Sequence, residues 1–172
     1  MRAVDRVRDA LAQVRKRYQN GEDRPLLGYA TVLGAYGGVV GLLAAAGRVT
    51  GTRLPERFSL GDTVLVGIAT HKASRLLAKD AVTSPLRAPF TRYEEPAGDG
   101  ELNESVHGHG VRHAAGELMT CPFCLAVWVA TGLTAGMVFA PRFTRAASTV
   151  LTAVAVSDVL QLGYDSAKQM AG

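Results

Sequence analysis

The sequence predicts an all-α fold: a four-helix transmembrane bundle with a basic amphipathic helix at its N-terminus and a cytoplasmic loop at its middle. Three observations carry that prediction. Residues 25–47 contain no charge over 23 positions, and Leu118 to Pro141 contains none either; each run meets the roughly 20 apolar residues that cross a bilayer as a helix. Charged residues gather instead in 1–24, 48–57 and 72–117, and long uncharged runs between charged segments mark a membrane chain. Finally, the N-terminal arm, the 72–117 segment and the C-terminal tail hold 14 of the 19 Lys and Arg, while the two opposite connections hold 5. The positive-inside rule therefore places both termini in the cytoplasm. The expected location is the bacterial cytoplasmic membrane.

Taken in order, residues 1–24 are read as a basic amphipathic helix. Val4, Val7, Leu11, Val14 and Tyr18 recur at spacings of three and four, which is one apolar stripe. Arg2, Arg6, Arg8, Arg15, Lys16 and Arg17 occupy its other faces. Such a helix suits an anionic bilayer surface or a partner helix, and the run Gly21-Glu-Asp-Arg-Pro25 stops it.

Residues 25–165 are read as the transmembrane domain, with helices at about 26–47, 59–79, 119–140 and 146–165, and 166–172 as a tail. In the first of these, Gly34 and Gly38, and Gly37 and Gly41, stand four apart. Paired small residues let membrane helices approach closely, so these glycines are candidate packing positions, within the monomer or with a homo-oligomer or membrane-protein partner. The second span is the most polar: only Thr63 to His71 is free of charge, with Asp62 at one end and Lys72, Arg75 and Lys79 at the other. Residues 80–117, with Pro85, Pro89 and Pro96, read as a water-exposed loop, mobile over 98–110. The third span is closed by Pro141-Arg-Phe-Thr-Arg145, read as a reversing turn. The opposing fold is a soluble helical bundle in which the same apolar runs form the core.

Composition excludes several functions. A net charge of +4 comes without a nucleic-acid motif, so anionic headgroups are the expected partner and nucleic acid is not. Two cysteines cannot staple a secreted scaffold. No phosphate-binding glycine loop or metalloprotease motif is present.

Chemistry concentrates where the polar ends of the spans meet. His71, Lys72, Arg75 and Lys79 are expected near Cys121 and Cys124, and near Asp158, Gln161 and Asp165, which share a helical face at i, i+3 and i+7. An ionisable residue inside a span needs a partner, so Asp158 should find Arg75 or His71. The candidate cluster is His71, Arg75, Cys121, Cys124 and Asp158.

Cys121-Pro-Phe-Cys124 is open to four readings: redox dithiol, metal site, lipid attachment and packing at a helix start. Zinc is the one cofactor the pair evokes. It needs about four ligands, so His71, or the His107, His109 and His113 group, would have to complete the set. Arg87 and Arg92 with Lys79 form a modest basic patch, read as solvated or facing the membrane.

Several segments together resemble a known family: Ala69-Thr-His-Lys-Ala-Ser-Arg75, Lys79-Asp-Ala-Val-Thr83, Leu86-Arg-Ala-Pro-Phe90, Gly116-Glu-Leu-Met-Thr-Cys-Pro-Phe-Cys-Leu125 with Trp128, and Ser157-Asp158. They are similar to an uncharacterised family of small bacterial integral membrane proteins, domain of unknown function number thirteen-sixty, which includes sporulation-associated members. The similarity covers roughly residues 60–165, and Thr-Cys-Pro-Phe-Cys-Leu is its most specific block. It implies membrane topology and a bacterial source and brings no mechanism. The function expected from sequence is a non-enzymatic envelope or assembly component; the alternative is a thiol- or metal-dependent membrane enzyme or sensor using Cys121 and Cys124.

Overall fold

The computed structural model describes residues 2–21 and 24–171, with side chains from residue 5 onward. Glu22 and Asp23 of the predicted helix stop, and the side chains of Arg2 and Val4, lie outside the described residues. The fold is mostly helical, as expected, with one small antiparallel hairpin.

Helix α1 (Arg2–Gln19) carries the predicted stripe and ends at Asn20 and Gly21, whose φ of 42° and 91° are left-handed, the usual geometry of a helix stop. Helix α2 (Leu26–Val49) starts behind Pro25, whose carbonyl accepts the Tyr29 N–H at 3.0 Å. Helix α3 (Leu60–Lys79) is capped by Ser59, whose Oγ accepts the Asp62 N–H at 3.0 Å.

Residues 80–117, read from sequence as a water-exposed loop mobile over 98–110, hold helical turns, a hairpin and a helix. A 3₁₀ turn (Ala81–Thr83) and a short helix α4 (Ser84–Arg87) lead into strands β1 (Thr91–Gly98) and β2 (Glu101–Val106). The strands pair antiparallel from Thr91 with Val106 to Gly98 with Glu101, with register shifts after Tyr93 and Pro96. Helix α5 (Val111–Thr120) follows, then α6 (Pro122–Phe139) and α7 (Pro141–Ala171). The expected reversal at 141–145 is the first turn of α7; only Ala140 separates the two helices. Residues 166–171, read from sequence as tail, continue α7, which at ~1.5 Å per residue is about 46 Å long.

Helix α3 is the inner element, packed against both α6 and α7. Its buried positions are small: Ala69, Ser74 and Ala78. Helix α7 answers with Ser148 and Ala155, and small facing residues suit the close packing of membrane helices. Gly136 makes a tight contact between α6 and α7, since a Cβ there would lie 2.5 Å from Thr144 Oγ1. Helix α2 docks mainly on α5: a Cβ on Gly28 would sit 2.5 Å from the Gly110 carbonyl oxygen and 3.0 Å from Ala114 Cβ. Further along, Tyr36 donates to or accepts from Thr131 Oγ1 at 2.9 Å and stacks edge-on against Trp128 at 5.3 Å between ring centroids.

Three helices, α2, α6 and α7, are long and apolar enough to cross a membrane. Their apolar faces point outward rather than into a core: Leu33, Leu42, Val150, Val159 and Leu160 are all more than 60% exposed. A soluble monomer rarely leaves so large a contiguous apolar surface in water. Helix α3 has the length but carries Asp62, His71, Lys72, Arg75 and Lys79. A methyl added at any of the four glycines nominated for packing, Gly34, Gly37, Gly38 and Gly41, would meet nothing within 4 Å. Among the described residues the space in front of these four positions is open, whereas Gly28, Gly116 and Gly136 face close neighbours.

Candidate functional site

Pro122 fixes the position of the thiol pair. A residue before proline is pushed from the helical region towards extended backbone, and Cys121 adopts φ −102°, ψ 105°, ending α5 and capping α6. Proline then takes the first helical position, where its missing N–H costs nothing. This geometry turns the Cys121 sulfur onto the first turn of α6, where Sγ accepts the Cys124 N–H at 3.3 Å.

The electrostatics of Cys121 follow from that capping position. Desolvation alone would push its thiol up. Hydrogen bonds from the Cys124 thiol and from the backbone N–H groups of Cys124 and Phe123, with the charge of Lys79, outweigh it and hold Cys121 below the ordinary thiol range. A sulfur at a helix N-terminus next to a cation is the environment that favours thiolate. Both cysteines are free thiols.

Both thiols line a groove of about 700 Å³ between α2, α5 and α6. Its walls are apolar and aromatic, from Tyr29, Val32, Tyr36, Val127 and Trp128. Glu117 supplies a polar group, held by Arg24 at 3.4 Å and His113 at 3.5 Å. The volume falls within the usual range for small-molecule sites.

The rest of the predicted cluster is distributed over other contacts. Asp158 pairs with Lys72 at 2.8 Å, one residue from the expected His71. Arg75 reaches β2, where Nε and Nη2 donate to the two Glu101 carboxylate oxygens at 2.6 and 2.7 Å. His71 is exposed. Among the described residues no three His, Cys, Asp or Glu side chains form a group able to hold a metal ion. The donor set suggested for zinc, Cys121 and Cys124 with His71, is therefore not assembled, because His71 sits on the outward-facing side of α3. Gln161 donates to Ser157 Oγ at 3.1 Å.

Sequence reasoning missed the most enclosed charge. Arg87, expected in a patch that is solvated or faces the membrane, is fully buried. Its Nε donates to Glu104 at 2.5 Å, Nη1 to the Leu77 carbonyl at 2.9 Å and to Thr83 Oγ1 at 2.7 Å, and Nη2 to the Asp80 carbonyl at 3.1 Å. One side chain thereby joins the end of α3, the 3₁₀ turn and strand β2. The available signal was Leu86-Arg-Ala-Pro-Phe90 within the family-like segments, where a lone arginine sits between Pro85 and Pro89.

Comparison with known proteins agrees with the resemblance read from the motifs. The sequence profile described as "Protein of unknown function (DUF1360)" matches residues 65–164, more than half of the chain. "Sporulation protein YjcA" of Bacillus subtilis (strain 168) is 39% identical over 70 residues, which is 39% of this chain and 59% of that relative. The chain thus spans less than two thirds of that relative's length. No solved structure matches. The matched residues contain α3 from Leu65 onward, Arg87 with its partners, and both cysteines. The chain belongs to this family of proteins of unknown function, which includes a sporulation protein among its members.

Proposed function

We propose that this is an integral protein of the bacterial cytoplasmic membrane whose Cys121 and Cys124 carry out thiol–disulfide exchange at the membrane boundary. The observation that carries the reading is the capping geometry: Cys121 sulfur on the N-terminal turn of α6, beside a second thiol one turn on, at the wall of an apolar groove. In the exchange, the Cys121 thiolate attacks one sulfur of a substrate disulfide, forming a new S–S bond and expelling the other sulfur as thiolate. Cys124 then loses its proton and attacks Cys121 Sγ, releasing the second substrate thiolate. The substrate disulfide is reduced to two thiols, and the protein dithiol becomes a disulfide.

Helix α3 is the fourth crossing in this reading. On it Asp62, Lys72 and Arg75 are paired with Arg145, Asp158 and Glu101, and it packs against both α6 and α7. Four crossings leave both termini on the basic, cytoplasmic side. The experiment is alkylation of each thiol as a function of pH, using Cys124→Ser to report on Cys121 and Cys121→Ser to report on Cys124. Cys121 is expected to react at a pH below the ordinary thiol range. Indistinguishable profiles centred on an unperturbed thiol would refute the reading.

A second reading, assembly without chemistry, is favoured by the empty space around Gly34, Gly37, Gly38 and Gly41. A smooth face on a spanning helix is suited to another membrane helix, in a homo-oligomer or with a different membrane protein. Gly37→Leu with Gly41→Leu is expected to abolish cross-linked oligomers while leaving the monomer folded. An unchanged oligomer pattern would remove this reading.

A further inference from the structure

We infer that α1 is a lipid-binding surface that recognises anionic headgroups. The chain's net charge resides in this helix. Residues 2–19 hold six basic and two acidic side chains, and the rest of the sequence holds thirteen of each. The apolar stripe is uncovered: Val7, Leu11, Val14 and Tyr18 are 58–63% exposed. An uncovered stripe on a basic helix is the composition that lies in the plane of a bilayer surface.

The placement of charge around the helix selects lipid over a partner helix. With about 100° between successive residues, Arg8 and Arg15 fall roughly 60–80° to one side of the stripe. Arg6 and Arg17 fall about 100–120° to the other, and Asp5, Asp9 and Lys16 stand near the opposite pole. Basic side chains thus flank the apolar face at the depth of headgroups, with their stems able to lie along the boundary, while both carboxylates point away from an anionic surface. A partner helix in a groove would not need cations on both flanks and acids confined to the far pole.

Chain connectivity supplies the second argument. Gln19 Nε2 donates to the Arg24 carbonyl at 2.9 Å, so the end of α1 is held beside the start of α2, one of the three helices apolar enough to cross a membrane. The left-handed Asn20 and Gly21 interrupt the helix there, which lets α1 leave the axis of α2 and run along the surface. At 18 residues it covers about 27 Å.

The test uses the full chain reconstituted in vesicles of phosphatidylcholine alone or with added phosphatidylglycerol. An environment-sensitive fluorophore is placed at Leu11→Cys or Lys16→Cys in a Cys121→Ser, Cys124→Ser background. Position 11 is expected to move to an apolar environment only with phosphatidylglycerol, and to return to water at high salt, while position 16 stays aqueous throughout. Each basic residue near an anionic surface is worth about a fivefold change in binding, so Arg8→Glu with Arg17→Glu should undock the helix by well over tenfold. In the unmodified protein, tryptic cleavage at Arg15 to Arg17 is expected to slow in the anionic vesicles. An aqueous position 11 in both vesicles overturns the inference. So does an apolar position 11 that ignores headgroup charge and salt, which places the stripe on protein, or one that depends on protein-to-lipid ratio, which places it on a second copy.

Discussion

Replacing Arg87 by methionine removes the charge that joins α3 to the hairpin while keeping most of the side-chain volume. Arg87 has no exposed surface, and the Glu104 side chain is 5% exposed. After the substitution Glu104 is left buried without its cation, and Thr83 Oγ1 and the Leu77 and Asp80 carbonyls lose a donor. Breaking a buried pair from one side costs about 3–5 kcal/mol. For a chain of this size each kcal/mol lowers the melting temperature by about 2–4 °C, so the expected loss is roughly 6–20 °C. The assay is thermal unfolding in detergent followed by circular dichroism. The double variant Arg87→Met with Glu104→Leu should be milder than Arg87→Met alone, because the orphaned carboxylate goes with its partner. Arg87→Lys should recover only part of the loss, since an ammonium cannot reproduce the guanidinium fork. A melting temperature within about 2 °C of the parent for Arg87→Met, or a double variant no better than the single, would refute the hub assignment.

Three further outcomes follow from the same geometry. Lys79→Gln removes a cation that lowers the Cys121 thiol. Thiolate forms as pH rises through the folded-state value, so the alkylation profile of Cys121 should shift to higher pH; an unmoved profile would mean that Lys79 has no influence there. Gly28→Ala forces a methyl against the Gly110 carbonyl, and overpacking of this kind costs about 1–3 kcal/mol, read as a lower melting temperature. Gly37→Ala meets open space and replaces a poor helix former, so the monomer should be unchanged or more stable by up to about 1 kcal/mol, and a loss comparable to that of Gly28→Ala would contradict the described packing.

The long helices were legible because their signals are local: uncharged runs for α2 and α6, Asp62 near the start of α3, and Gly21 for the end of α1. The hairpin was not. Its strands carry Glu94, Glu95, Pro96 and Glu101 rather than an alternating apolar pattern, and they are held by contacts distant in sequence. Glu104 on Arg87 and Val106 against Gly116 are examples. The Asp99-Gly100 turn closes the hairpin, with Gly98 and Gly100 at φ 129° and 79°. Pairings between helices were legible only to within a turn. Asp158 was expected to meet a cation from α3, but His71, Lys72 and Arg75 lie close together along the helix, and the rotation of α3 against α7 selects Lys72. Arg87 was missed for a related reason: the flanking Pro85 and Pro89 mark its segment, but the acid that draws the side chain inward lies 17 residues away.

The proposed thiol exchange is tested most directly by equilibrating membranes containing the intact protein with glutathione buffers of graded potential, quenching with an alkylating agent and measuring peptide masses. One two-electron transition is expected, in which Cys121 and Cys124 of the same chain lose two hydrogens together and become resistant to alkylation. Full alkylation of both thiols across the whole range, or oxidation that links cysteines of different chains only, would contradict it.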